Sequence, residues 1–377
     1  MSQLDPDICF ISAGVYEYLD HERATPRGGA QRQQYMLGCE LRDRGYSVSF
    51  LVGDYGQPKS QMIDDMRVVR GCPESISSPL SLPKTLVEFW NAMREVNASL
   101  YYVRGAPRLA IATAVCCKLL RKPFVFCVAN DADLVPKRLK QRYGPAVRRG
   151  YRWMLQTADV AIAQTERQQS LLETEYDKES IQIPNGYDLP SEDQLLPQRD
   201  REYVLWIGSS DPDQKRPGRY VDLAEQVPEV DFVMISKPTS DVEFHKKLRK
   251  KATSIENLRF VGPIAPDEVH NYYRRAQLVI NTSVYEGFPN TFLESWRFET
   301  PVISLSFDLD GLLKNEVGGM LSGDMHKLRE DVQNVIEDVQ KRSELGASGR
   351  QLVSDRYSLK TAADQYESVI KQYKRMI

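Results

Sequence analysis

Histidine is scarce in this sequence and scattered: His21, His245, His270 and His326 are the only 4, and nothing in their spacing suggests a local metal-ligand cluster. The 6 cysteines, Cys9, Cys39, Cys72, Cys116, Cys117 and Cys127, include no CxxC pair and sit mostly in apolar runs. They read as small buried hydrophobes in a reducing compartment, not as a disulfide framework. Neither sign of charge is in excess: Lys and Arg total 50 against 52 Asp and Glu, a net charge of −2, so no nucleic-acid partner is implied. An apolar run of the ~18 residues needed to span a membrane is missing. The acidic opening MSQLDPD and the short apolar run that follows it do not resemble a secretory leader. The expectation is a cytoplasmic protein. Low-complexity tracts and short internal repeats are absent too. What remains is an ordinary globular composition, 41% hydrophobic and 27% charged, over 377 residues, more than one core usually serves. Two domains are expected.

The first half alternates short apolar runs with helical stretches. Residues 8–12 read as the first strand of a parallel sheet, closed by Ala13-Gly14. A polar loop leads to Gly28-Gly29, then to a helix with Tyr35, Met36, Leu37 and Leu41 on its apolar face, and 48–52 is the next strand. Two readings stand for the glycine pair: a loop able to approach a phosphate closely, or a flexible turn before a helix. Further strands are expected at 100–103, 124–128 and 160–163, ending respectively in Arg104-Gly105, Asn130-Asp131 and Gln164-Thr165-Glu166. Doubly wound sheets present ligand-binding groups at such ends, so Asn130 or Asp131 either faces a sugar or acceptor hydroxyl or stabilises its own turn. Residues 137–152 carry Lys137, Arg138, Lys140, Arg142, Arg148, Arg149 and Arg152 with no acidic residue among them, and Tyr143, Tyr151, Trp153 and Met154 are interleaved or follow. Such a segment docks on anionic lipid headgroups, or is a solvated helix face.

Residues 190–200, with two prolines and charges of mixed sign, read as an interdomain linker. A second α/β sheet then begins at 203–207, followed by Gly208-Ser209-Ser210 and a loop carrying Lys215, Arg216 and Arg219. Cations just after a strand end are suited to neutralise a diphosphate, and equally to decorate a helix start. Strands at 232–235, 258–261 and 278–280 lead to the stretch NTSVYEGFPNTFLESWRFETPVIS, residues 281–304. Gly287 and Pro289 break the chain there, and Asn290-Thr291 offers an N-cap before Phe292, Leu293, Trp296 and Phe298. Glu286 and Glu294, eight positions apart (294 − 286), bracket the turn. Amides near Pro289 would hold a diphosphate, and a carboxylate on either side would accept from hydroxylated rings, as a nucleoside diphosphate sugar offers. Alternatively Glu294 caps its helix electrostatically and Glu286 is a solvated turn residue. A last helix is expected over 359–376.

Taken together, Gly28-Gly29-Ala30-Gln31-Arg32, IPNGYD at 183–188, Lys215 after WIGSS, and EGFPNTFLES at 286–295 resemble glycosyltransferase family 4, the retaining nucleotide-sugar enzymes of GT-B fold. The resemblance runs over nearly the whole chain, and the glutamate pair is its most specific part. It implies two Rossmann-like doubly wound α/β domains facing a cleft: an acceptor-binding domain (1–189), the linker (190–200), a donor-binding domain (201–356), and a C-terminal helix (357–377) crossing back to the first. It implies that Glu286 touches the donor sugar and Glu294 the ribose, and that Phe288, Pro289, Asn290 and Thr291 supply backbone contacts to the diphosphate. Lys215, with Arg216, would neutralise that diphosphate, and Gly28 and Gly29 would approach it. Such enzymes need no metal or other cofactor; the donor would be a UDP-, GDP- or ADP-sugar, and the acceptor a glycan or a lipid-linked molecule. Two departures stand out. The arginine usual in the loop after the WIG-like strand is replaced by Ser209-Ser210, and a histidine usual after 124–128 is missing, which leaves Asn130-Asp131 and makes Asp131 the catalytic candidate of the first domain. Near Glu299-Thr300 the family usually has a glycine. The expected activity is hexosyl transfer in cell-surface polysaccharide synthesis, on an anionic membrane surface if Arg148, Arg149 and Arg152 bind one. A sugar-nucleotide 2-epimerase or a non-catalytic partner subunit of the same fold are the competing readings.

Overall fold

The computed structural model describes residues 5–20, 28–73 and 82–374; His21 and the last residues of the expected final helix lie outside these. The chain forms two compact units, one of Met1–Asn185 with Leu359–Ile377, the other of Gly186–Ser358.

In the first unit the strands are β1 (Ile8–Ile11), β2 (Val48–Val52), β3 (Ser60–Ile63), β4 (Met66–Arg70), β5 (Tyr101–Arg104), β6 (Phe124–Cys127), β7 (Val160–Ala163) and β8 (Ile181–Gln182). They lie in the order β3-β4-β2-β1-β5-β6-β7-β8, parallel except for β3 against β4. Every residue of β1, β6 and β7 is buried, as continuous apolar runs require when helices cover both faces. Those helices are α1 (Tyr16–Leu19), α2 (Gly29–Asp43), α3 (Leu82–Val96), α4 (Pro107–Leu120), α5 (Pro136–Arg142), α6 (Pro145–Thr157) and α7 (Glu166–Tyr176). The β3–β4 hairpin went unread in the sequence because its turn contains no glycine. Asp64 and Asp65 take φ 49° and 58°, a left-handed pair that short polar side chains tolerate.

The second unit holds β9 (Tyr203–Ser209), β10 (Phe232–Lys237), β11 (Leu258–Val261), β12 (Ala276–Asn281), β13 (Val302–Ser304) and β14 (Gly319–Leu321), in the order β11-β10-β9-β12-β13-β14. All of its strand pairs are parallel. Its helices are α8 (Pro217–Gln226), α9 (Val242–Ala252), α10 (Pro266–Arg275), α11 (Asn290–Trp296), α12 (Met325–Glu337) and α13 (Val339–Arg356). The final helix, α14 (Leu359–Lys374), belongs to the first unit, where Ala363, Tyr366 and Ile370 join the core cluster of Phe10, Phe50 and Tyr102. Arg44 anchors it by donating to Asp364 at 2.5 Å and to the Lys360 carbonyl at 3.0 Å.

Three expectations are corrected. Residues 190–200 are not a free linker: they pack within the second unit, because two buried guanidinium groups need carbonyl acceptors that this segment helps supply. Arg201 donates to the carbonyls of Leu196, Ala276, Phe298 and Glu299 and to Thr300 Oγ1, and Arg342 donates to the Gln198 carbonyl at 3.0 Å. Asn290-Thr291 is not the N-cap of α11. Pro289 holds that place, since the Phe292 N–H already bonds the Pro289 carbonyl at 2.8 Å. Finally, residues 137–152 are not one amphipathic segment but α5 and α6, broken at Tyr143-Gly144. Tyr151 and Met154 point into the core at 0% exposure and are not offered to a surface. The missing glycine near 299 also finds its explanation: Glu299 itself takes the left-handed φ of 56°, and its carbonyl accepts from Arg201 and Gln198.

Burial lowers the Arg201 guanidinium to about 10, the mark of a cation held without a contacting carboxylate. Arg201→Met strands several buried carbonyls and is expected to cost about 3 kcal/mol. Urea unfolding should show a lower midpoint with an unchanged slope; an unchanged midpoint would deny Arg201 this role.

Candidate functional site

In the second sheet β9 and β12 are neighbours, and the chain departs from them in opposite directions, β9 towards β10 and β12 towards β13. Loops leaving the carboxyl ends at such a reversal diverge and open a crevice. Two of them build the site. After β9, Asp211 winds the chain tightly: its Oδ1 accepts from the Asp213 and Gln214 amides and its carbonyl from those of Lys215 and Arg216. Arg216 closes the turn in a left-handed conformation, φ 48°, as the N-cap of α8, with its side chain exposed. After β12, Asn281 Oδ1 accepts from the Ser283 amide and the Ser304 hydroxyl.

The two loops are zipped together. The Val284 amide donates to the Gln214 carbonyl at 2.9 Å, Gln214 Nε2 to the Tyr285 carbonyl at 3.1 Å, and Thr282 Oγ1 to the Lys215 carbonyl at 2.5 Å. Trp206 Nε1 on β9 fixes Thr282 in turn, at 2.9 Å. This zipper brings Lys215 Nζ to 2.5 Å from Glu286 Oε1, across 71 residues of sequence. Glu286 is 5% exposed, so the ammonium answers a carboxylate that would otherwise be buried without a counter-charge.

Glu294, on α11, has different company. It too is buried, and its Oε1 accepts from the Tyr187 hydroxyl at 3.1 Å and its Oε2 from the Tyr273 hydroxyl at 3.0 Å. The two carboxylates paired by sequence spacing therefore sit in distinct settings, one against a cation and one against two phenols. Neither tyrosine was singled out as a site residue from sequence, although Tyr187 lies inside the IPNGYD motif; Tyr273 was hidden among the core positions of α10. Between the glutamates, the Phe288–Thr291 backbone offers less than expected: Pro289 has no N–H and Asn290 donates to the Phe288 carbonyl at 2.9 Å. The amides of that stretch left to consider for a diphosphate are those of Phe288 and Thr291.

The first-unit candidates are each tied locally. Gly28 takes φ 94° as the N-cap of α2, a conformation that a side chain would strain, and Gly29 is the first helical residue. Asp131 is buried and accepts from Gln168 Nε2 at 3.0 Å and from Arg167 Nε at 3.1 Å. Its neighbour Asp133 pairs with Arg142 at 3.0 Å, and burial raises its carboxyl above the usual range. Asn130 takes the turn-stabilising alternative, with its side chain accepting from the Ala132 amide. On α6, Arg152 donates to the Glu175 carbonyl and covers the Tyr176 ring, Arg149 is exposed and Arg148 half-buried.

Both halves of the chain match known glycosyltransferase families. Residues 27–190 match the family described as Glycosyltransferase Family 4, and residues 201–338 the family described as Glycosyl transferases group 1. Among curated relatives, the alpha-galactosylglucosyldiacylglycerol synthase of Streptococcus pneumoniae is 30% identical over 26% of this chain and 27% of its own length. The lipopolysaccharide 1,2-N-acetylglucosaminetransferase of Salmonella typhimurium is 26% identical over 37% of this chain and 38% of its own. The chain thus spans well under half the length of the curated relatives it matches. Among solved structures, sucrose-phosphate synthase from Thermosynechococcus elongatus superposes with TM-score 0.78 at 20% identity, covering 98% of this chain and 99% of that one. HepE of Anabaena, solved with UDP and glucose, gives 0.74 at 18% identity, over 97% and 99%. These superpositions show the fold.

The Lys215–Glu286 contact predicts strong coupling. Lys215→Met alone should cost about 3 kcal/mol of stability, and Glu286→Gln in that background should recover much of it, for a coupling of about 1–3 kcal/mol in a double-mutant cycle. Additive losses would mean that the two groups do not meet.

Proposed function

Because the chain belongs to glycosyltransferase family 4 and has the GT-B fold, we propose that it moves a hexose from a nucleoside diphosphate sugar to a glycan or lipid-linked acceptor in cell-surface polysaccharide synthesis, with retention at the anomeric carbon. The observation that carries this is the Lys215–Glu286 pair at the strand reversal of the second sheet. Without donor the two groups satisfy each other. With donor, the diphosphate takes the ammonium as its counter-charge and Glu286 is released to accept hydroxyls of the hexose. The bond from the anomeric carbon to the phosphate oxygen breaks with its electron pair passing to the phosphate, whose charge Lys215 meets in the place a metal ion occupies in other enzymes. Arg216 adds a second cation, and the amides of Phe288 and Thr291 add donors to the phosphate oxygens. The acceptor oxygen bonds the anomeric carbon from the face the phosphate leaves, and its proton passes to the departing phosphate. Glu294 accepts from the ribose hydroxyls. That HepE was solved with UDP-glucose supports a donor of this class.

A lipid-linked acceptor calls for a membrane-facing surface, and α4 with α6 suits one. Val115 and Leu119 on α4 are 43% and 68% exposed, next to Lys118 and Arg121, and α6 packs alongside with Arg149 outward. We assign this face to anionic headgroups, to which each basic residue contributes about 1 kcal/mol.

Two measurements test these readings. Incubation with UDP-, GDP- and ADP-sugars in the absence of acceptor should release nucleoside diphosphate slowly from one donor, and Glu286→Ala should lower that release by about 100-fold or more. Conversion of a donor into its 2-epimer, or binding without turnover even when acceptor extracts are added, would contradict the assignment. For the membrane face, sedimentation with phosphatidylglycerol-containing vesicles should be lost on joint charge reversal of Arg148, Arg149 and Arg152 or on Leu119→Asp; persistence in both variants would refute it.

A further inference from the structure

Arg104 ends β5 and has no part in the chemistry above. The first sheet has its own reversal beside it: the chain leaves β1 towards β2 on one side and β5 towards β6 on the other. Loops after these two strands part, and the carboxyl ends they leave are where an open α/β sheet binds ligands. Ile11 and Val103 are partners in the β1–β5 ladder, so the residues that follow them, Ser12 and Arg104, stand side by side at this rim. Gln34 of α2 reaches the same point, its Nε2 donating to Ser12 Oγ at 3.4 Å and to the Ala30 carbonyl at 3.3 Å. All of these groups belong to the first unit.

The cluster is short of partners. Gln34 is 2% exposed and its buried Oε1 meets no donor. Arg104 is partly exposed, and its one hydrogen bond among the described residues runs from Nη2 to Gln164 Oε1 at 2.5 Å. Its Nε is buried without an acceptor, and it forms no ion pair with a described residue. Arg201 shows how this chain treats a guanidinium that only braces the fold: it donates to four carbonyls and to Thr300 Oγ1. Arg104, with its five N–H donors, has a single neutral acceptor. Buried polar atoms without partners are rare and need a cause, and here two of them meet at a sheet reversal. A cation so placed, with donors to spare and no counter-charge, matches an oxyanion, which accepts from a guanidinium through two oxygens at once. Gln34 Oε1 beside it suits a hydroxyl of the same molecule.

We infer that Arg104, with Ser12 and Gln34, binds an oxyanion carried by the acceptor, so that the acceptor is an anionic saccharide and not a neutral one. The inference rests on the proposed reading of the chain as a glycosyltransferase whose first unit takes the acceptor. A carboxylate on an acidic sugar and a phosphate on a phosphorylated one present the same chemistry to Arg104. Gln164 keeps the guanidinium in place through Nη2 while its other N–H groups meet the ligand.

The test is ligand-observed NMR titration of glucose, glucuronate and glucose 6-phosphate into the intact chain, with the donor site filled by whichever nucleoside diphosphate binds it. Wild type, Arg104→Gln and Arg104→Lys are compared, and thermal melting checks that each is folded. Wild type should bind at least one charged sugar about tenfold or more tighter than glucose, the worth of charge-assisted hydrogen bonds. Preference for glucose 6-phosphate alone identifies a phosphate as the group recognised, and preference for glucuronate alone a carboxylate. In Arg104→Gln the charged-to-neutral ratio should fall to within about threefold of unity, with nucleoside diphosphate affinity unchanged. Arg104→Lys keeps the charge but loses the planar fork, so it should retain only part of the preference; it carries the test if the glutamine variant does not fold. A wild type that binds the three sugars alike, or a ratio unchanged in the folded variants, overturns the inference, the latter leaving Arg104 as a brace between β5 and β7. Charged sugars that displace the nucleoside diphosphate overturn it too, because they then occupy the donor site. Failure of every nucleoside diphosphate to bind the wild type would tell against glycosyl transfer instead, and the sugar ratio measured on the free chain would still judge Arg104.

Discussion

A buried carboxylate must have a partner, and in this protein that requirement governs the second unit. Glu286 sits at the carboxyl end of a central strand, where loops part and water is limited, and Lys215 is the cation that meets it. To deliver that cation, the Asp211 turn, the left-handed Arg216, the Thr282 bridge from Trp206 and the Gln214 contacts must all form. The cost of leaving Glu286 alone is thus spread over two loops, which it rigidifies. In the proposed reaction the diphosphate takes over Lys215 while hydroxyls of the hexose take over Glu286, so each group exchanges one partner for another. In that proposed role the ammonium is oriented by the zipped loops before any leaving group develops charge.

Further from the site, the second unit is closed by cations of another kind. Arg201 and Arg342 are buried against carbonyls, and they draw 190–200 and the turn at Glu299 into the core beneath α11. The helix bearing Glu294 therefore has a stiff base, and the phenols of Tyr187 and Tyr273 fix its carboxylate from the side. In the first unit, by contrast, the polar groups at the strand ends are largely spent on each other: Asp131 on Arg167 and Gln168, Asp133 on Arg142, and Arg104 on Gln164.

Much of this was legible in the sequence, and the reasons are physical. Parallel strands covered on both faces read as short apolar runs, so the fully buried β1, β6 and β7 and the largely buried β9 and β12 could be placed to within a residue or two. Glu286 and Glu294 stood out because two carboxylates flanking a Gly-Pro break need a purpose. What stayed hidden depends on partners remote in sequence. Nothing near Asp64-Asp65 announces a hairpin, because the turn is built on aspartates with no glycine. Nothing in 190–200 shows that Arg342, 144 residues on from Gln198, will claim its carbonyl. Tyr273 looks like one more core aromatic until Glu294 is placed against it. The basic run at 137–152 was visible, yet Tyr151 within it and Met154 just beyond fall on the core-facing side of α6, and Tyr143 is half-buried.

The most direct test of the central claim is calorimetric titration of nucleoside diphosphates into the wild-type chain and into Lys215→Met, with circular dichroism to verify that both are folded. The account predicts that one diphosphate binds the wild type and that the variant loses about tenfold or more in affinity, the value of a charge-assisted contact to phosphate. Equal affinity in the two folded proteins would contradict it.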